Sequence, residues 1–187
     1  MRLILASSSP RRRELLTQVG FKFEVHPAHV NEDPLPDEDP LAYVVRLARD
    51  KAQVVSAELG DPEAVVIGAD TTVTIDGHIL AKPDDAADAA RMLRMLSGRT
   101  HRVITGVAVA TAKKIEVAAE VTGVRFSTLS EAEIAEYVAT GQPMDKAGAY
   151  GIQGLAAKWI PRVEGCYFNV VGLPLALVAT MLESNGL

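Results

Sequence analysis

The chain has 187 residues, enough for one large or two small α/β units with a substantial core, and we expect one fold over 1–187. Its 24 acidic residues outnumber 19 basic ones, and a net charge of −5 argues against a general nucleic-acid coat or a membrane-surface protein, so any anion site must be local. Cys166 is the single cysteine, which excludes an intrachain disulfide and CxxC metal sites; no apolar run reaches the roughly 20 residues of a membrane span, and no secretory leader opens the chain, so a cytosolic location is expected.

Arg2 to Leu5 reads as a short apolar strand, followed by the hydroxyls Ser7, Ser8 and Ser9 and then a helix opening on Pro10 and Arg11-Arg12-Arg13. Ser9 suits the N-cap and Pro10 the first helical position, where its missing N–H costs nothing. The free amides and positive dipole end of that helix, with the serines and inward-turned arginines, predict an anion socket suited to phosphate. A solvated basic turn is the competing reading, since three arginines lie unfavourably near the positive pole.

After Gly20, Phe21 to Val25 alternates like a half-buried strand. His26 to Pro34 is an acidic, proline-broken loop; Glu32 and Asp33 on their own read as solvated, and His26 and His29 lack a third ligand for zinc. Asp39-Pro40 opens a long helix whose stripe comprises Leu41, Val44, Val45, Ala48, Ala52, Val55 and Leu59, and Gly60 stops it. Lys51 falls at the shoulder of the stripe, where its stem can run along apolar surface and deliver the ammonium to a cleft.

Glu63 to Gly68 predicts an interior strand ending in Ala69-Asp70-Thr71-Thr72. A carboxylate at a buried strand end needs a metal, a cation or a reaction to offset its desolvation, which makes Asp70 a functional candidate. Val73–Ile75, the turn Asp76-Gly77 and His78–Ala81 form a hairpin that brings Lys82-Pro83 back toward that strand end. A helix follows from Asp84 or Asp85 to Ser97, then a strand pair, 103–111 and 115–127. Ser130 and Glu133 make a capping box for a helix from Glu131 to about Thr140. Gln142 to Gly154, with three glycines and little periodicity, predicts a ligand-facing loop. Ala156–Val163 and Phe168–Val171 read as strands, and a closing helix runs from Pro174 through Leu182.

Arg11, Arg12, Lys51, Lys82 and Lys146 supply cations for a polyphosphate, while Glu32, Asp70 and Asp145 supply carboxylates for Mg²⁺, the two halves of a phosphoryl or nucleotidyl hydrolase. No GxxxxGK[ST] loop, no GxGxxG after a strand and no nucleophilic triad is present.

Ser7-Ser8-Ser9-Pro10-Arg11-Arg12-Arg13-Glu14-Leu15-Leu16, Gly68-Ala69-Asp70-Thr71, Leu80-Ala81-Lys82-Pro83, Ser97-Gly98-Arg99-Thr100-His101, Asp145 to Gly154 and Asn169 to Pro174 together resemble the Maf family of nucleoside triphosphate pyrophosphatases, in the same order and from end to end. Asp145-Lys146-Ala147-Gly148 and Gly151-Ile152-Gln153-Gly154 look like the subfamily acting on dTTP and UTP. The resemblance implies hydrolysis between the α and β phosphates, giving a nucleoside monophosphate and pyrophosphate, with Mg²⁺ or Mn²⁺. Asp70 matches the family's proton acceptor, Arg12, Thr71 and Gln153 its substrate-specificity positions, and Glu32, Lys51 and Lys82 polar positions of its cleft. The departures are Ala81 before Lys82, Trp159 and Cys166, all local in effect. The implied fold is a mixed, largely antiparallel twisted sheet with flanking helices and two lobes around a central cleft, similar to the inosine triphosphatases, often as a homodimer. Ser7, Ser8, Arg11, Arg12, Lys51 and Lys82 would bind phosphate, and one or more of Asp70, Glu32 and Asp145 would hold the metal. Whether Asp70 acts as base, metal ligand or both stays open. A nucleotide-binding regulator of septum formation with little turnover and a phosphatase clipping terminal phosphate are the alternatives.

Overall fold

The computed structural model describes residues 1–187. In chain order it contains β1 (Arg2–Leu5), α1 (Pro10–Gln18), β2 (Glu24–Val25), α2 (Pro40–Leu59), β3 (Ala64–Ile75), β4 (His78–Leu80) and α3 (Ala86–Leu96). There follow β5 (Thr100–Ala110), β6 (Ile115–Arg125), α4 (Glu131–Ala139), three short 3-10 turns between Gln142 and Trp159, β7 (Arg162–Glu164), α5 (Tyr167–Val171) and α6 (Leu175–Glu183). The seven strands form one mixed sheet in the order β2-β1-β3-β5-β6-β7, with β4 paired to β3. β1 runs parallel to both neighbours, Leu5 standing opposite Val25 and Ile67. Parallel pairs require crossovers, which α1 and α2 provide. β3 and β4 are antiparallel around Asp76 and Gly77, whose φ of 52° and 79° are those of the hairpin turn expected from this dipeptide.

Four strand expectations change. β3 does not end at Ala69-Asp70-Thr71-Thr72 but runs unbroken into the hairpin strand to Ile75, so this carboxylate lies in mid-strand; Thr72, Val73 and Thr74 beyond it are strand formers and are buried. Phe21–Val25 contributes only the two-residue β2, because its positions are exposed or half-exposed and have no core face to fill. Within 156–163, Ala157 N–H bonds Gly154 O and Ile160 N–H bonds Ala157 O, winding Leu155–Trp159 into a 3-10 turn and leaving only Arg162–Glu164 as strand. Phe168–Val171 belongs to α5, where buried Asn169 donates to Val103 O (3.0 Å) and Thr122 Oγ1 (2.9 Å), a tertiary tie that overrides strand propensity.

The chain forms two compact units. The first comprises Met1–Thr71, Thr105–Glu120 and Gly172–Leu187; the second comprises Thr72–Ile104 and Val121–Val171. In the first, α2 is capped by Asp39, whose carboxylate accepts from Leu41 N–H (3.0 Å) and Ala42 N–H (3.2 Å), and it ends at left-handed Gly60. Its buried side chains are Tyr43, Val44, Leu47, Ala48, Lys51, Ala52 and Val55; Leu41 is exposed, so the stripe is rotated from the one expected. The helix comes close to the backbone of the sheet: a Cβ on Gly68 would lie 2.1 Å from Ala48 O and one on Gly106 2.3 Å from Val44 O. Small residues, including Ala6, Ala48, Ala52, Ala64, Ala108 and Ala110, fill the rest of that core.

The second unit is built on rings. Phe126 meets His101 (5.1 Å), Tyr150 (4.7 Å) and Trp159 (6.4 Å), and Trp159 meets Tyr137 edge-on (5.1 Å). Asp85 caps α3, and Ser130 with Glu133 forms the capping box of α4. No helix is long and apolar enough to cross a membrane.

Candidate active site

The short distance from α2 to β3 decides where Lys51 goes. Its stem is buried against the sheet, and its ammonium sits 2.7 Å from Asp70 Oδ1 and 2.7 Å from Glu32 Oε1. One cation thus bridges a buried mid-strand carboxylate and a half-exposed loop carboxylate. The loop is held by α2 as well: Tyr43 donates its hydroxyl to the carbonyl of Glu32 (2.8 Å), and Arg46 donates to the carbonyl of Asp33 (3.1 Å) and pairs with Glu38 (2.6 Å). Burial, reinforced by the negative charges of Asp70 and Glu32, pushes the Tyr43 phenol up to about 12, so its proton stays available to this bond. Tyr43 and Arg46 are positioning residues that sequence reasoning missed. The one signal available was an aromatic hydroxyl on the inner side of a helix, which needs a partner when buried.

The second anchor is Arg12, in the first turn of α1. It is buried, and its fork is used in three directions: Nε donates to Gly172 O (2.8 Å), Nη1 to Ser7 Oγ (3.1 Å) and Nη2 to Thr71 Oγ1 (3.0 Å). Thr71 Oγ1 also lies 2.9 Å from Thr105 Oγ1. Burial lowers the Arg12 pKa from its ordinary value, and the charge of Asp70 opposes that shift. Arg12 and Thr71, both expected at specificity positions, are therefore bonded to each other. Each Nη nitrogen has a second hydrogen beyond these bonds.

Ser9 stands at the N-cap of α1 but makes no side-chain capping bond; the nearby hydroxyl interaction runs from Ser9 N–H to Ser7 Oγ (3.3 Å). The capping role expected of the Ser9 side chain is thus not taken up, and Arg13 N–H bonds the carbonyl of Ser9 instead (3.3 Å). Ser8 is exposed and Arg11 half-buried beside them.

The remaining candidates belong to the second unit. Lys82 is exposed and follows Ala81, whose carbonyl accepts from Gly148 N–H (3.2 Å). Asp145 pairs with Lys146 (2.6 Å), and Lys146 also donates to Gln142 O (2.7 Å). Gln153 is exposed, between buried Ile152 and Gly154. Gln142 to Gly154 is a chain of 3-10 turns tied by its own backbone and by Tyr137, whose hydroxyl accepts from Gly151 N–H (3.2 Å).

A mixed α/β fold carrying an arginine-anchored, uncapped helix start next to a carboxylate–ammonium–carboxylate bridge defines a protein equipped for a polyanionic ligand. The same fold occurs in the Ham1 protein of Staphylococcus aureus, with a TM-score of 0.52 over 99% of this chain and 100% of that one at 12% identity. The family model described as Maf-like protein matches residues 2–185, and the chain belongs to the Maf family. It is 55% identical over 186 residues to the dTTP/UTP pyrophosphatase of Koribacter versatilis, covering 100% of this chain and 95% of that protein. It is 54% identical to the dTTP/UTP pyrophosphatase of Pelotomaculum thermopropionicum, covering 98% and 96%.

Proposed function

We propose that this protein is a nucleoside triphosphate pyrophosphatase that hydrolyses dTTP and UTP to the nucleoside monophosphate and pyrophosphate. The observation that carries the reading is the Lys51 bridge: a buried acid in mid-strand, kept in place by an ammonium 2.7 Å away that also reaches Glu32. The names of relatives near 55% identity over the full chain support the same substrates.

A divalent ion fits the donor set, because Glu32 and Asp70 are hard oxygen ligands already converging on one positive charge. These two would hold Mg²⁺ or Mn²⁺. Such an ion supplies neutralisation of phosphate charge and a more acidic water. The protein's own groups do the rest. Asp70 orients the attacking water and accepts its proton. Lys51 fixes the carboxylate of Asp70, and Arg12, with its spare Nη hydrogens at the positive end of α1, stabilises charge on the phosphates, as do Lys82 and Arg11. Gln153 carries an amide donor and acceptor, the pair that matches the imide edge shared by thymine and uracil. A cytosolic homodimer is part of the proposal; sedimentation tests its second half.

Incubation with a panel of nucleoside triphosphates and Mg²⁺, followed by product analysis, tests the reading. Monophosphate and pyrophosphate from dTTP and UTP are expected; orthophosphate with diphosphate, or no turnover, overturns it. Asp70→Asn should lower kcat by about 10²-fold or more.

A further inference from the structure

The Maf-like reading of the second unit uses Gln153 and leaves His101 and Tyr150 unused. His101 is 2% exposed, and its Nε2 lies 2.7 Å from the hydroxyl of Tyr150, itself buried. The other ring nitrogen, Nδ1, is buried without a hydrogen-bond partner. As a packing residue histidine is a poor choice here. Phenylalanine would meet Phe126 and Tyr150 with the same edge-to-face contacts and would orphan no nitrogen. What histidine adds over phenylalanine is one bond, to Tyr150. Burial holds the imidazole down to about 4 and the phenol above its ordinary value, so both partners stay neutral around neutral pH.

Tyr150 sits where the backbone most needs holding. Ala149 before it has φ +60°, a left-handed conformation unfavourable for alanine that persists only when its surroundings over-determine it. Gly148 is pressed on Val73, where a Cβ would come within 2.8 Å, and Gly151 on Lys146, where it would come within 2.6 Å. Gly151 N–H donates to Tyr137 OH, and Gly154 N–H to Gly151 O (3.1 Å). Between Ala149 and Ile152, Tyr150 is the one residue that reaches the ring cluster, and three positions later the chain arrives at Gln153.

We propose that His101 and Tyr150 are positioning residues for base recognition: their buried hydrogen bond locks the strap from Lys146 to Gly154 in the strained shape that presents Gln153. The proposal rests on the reading of Gln153 as the base-contacting residue. It separates the role of the bond from that of the rings, because replacing both polar partners by phenylalanine keeps the packing and removes the orphaned nitrogen.

The test compares wild type, Tyr150→Phe, the double variant His101→Phe/Tyr150→Phe and Gln153→Ala. The double variant should melt at or above the wild-type temperature. Its KM for dTTP should rise, and its dTTP-over-CTP ratio of kcat/KM fall, by about fivefold or more, with kcat changing less than KM. Amide exchange at Gly151 and Gly154 should speed up by about tenfold. Unchanged KM, ratio and exchange in the double variant overturn the proposal, whatever Gln153→Ala does. Should the double variant fail to fold, Tyr150→Phe carries the same expectations for KM, ratio and exchange. An unchanged ratio in Gln153→Ala overturns the assignment of Gln153 alone.

Discussion

Lys51 serves two carboxylates that differ in burial, and this makes substitutions around it unequal. Lys51→Met strands Asp70, whose side chain is 12% exposed, and should destabilise by about 3 kcal/mol. Asp70→Asn leaves Lys51 with the half-exposed Glu32 and should cost about 1 kcal/mol. Urea midpoints at equal m-value read the difference, although both variants should lose turnover. His101 sets a pH dependence of opposite origin. Its folded value of about 4 lies below the ordinary 6.5, so the unfolded chain takes up a proton that the folded protein refuses. Its share of stability is therefore intact above 6.5 and is lost as pH falls from 6.5 to 4, about 3 kcal/mol in all. Chemical denaturation at intervals across that range should show a slope that His101→Phe removes. At this scale the residue types were legible in the sequence, but their partners were not. Nothing local links Arg12 to Gly172, or Tyr43 to the carbonyl of Glu32, because those bonds depend on where distant segments arrive.

Elements whose signals lie in neighbouring residues are legible in the sequence: the cap and stop of α2, the Asp76-Gly77 hairpin, the capping box of α4 and the β5–β6 strands. The misreadings fall where tertiary contact decides. β3 continues past its acid because Lys51 offsets that charge, and α5 is a helix despite its aromatic and β-branched residues because Asn169 is tied to two strands. Glycines on the facing strands set how closely α2 seats on the sheet. Gly68→Ala and Gly106→Ala should each cost about 3 kcal/mol or more, since the new methyl meets backbone that cannot step aside. Because α2 carries Lys51 and Tyr43, the loss of activity should exceed what the drop in folded fraction explains; assays at temperatures where both variants remain folded check this.

On the scale of the whole molecule, neither compact unit is an unbroken stretch of chain: the first is assembled from three segments and the second from two. One cleavage therefore releases neither. The exposed loop 31–37 is the expected place for limited proteolysis. A nicked sample should elute as one folded species on gel filtration, yet be inactive, because the cut frees Glu32 from the hold of Tyr43. Fragments eluting separately would contradict this.

The bond from Arg12 to the carbonyl of Gly172 spans 160 residues. On a ribosome, about ten to thirty seconds separate the synthesis of its two ends. Throughout that interval the nascent polypeptide carries a guanidinium made for burial but lacking one of its three acceptors. The anchoring of the first helix is therefore completed only when translation approaches the last one.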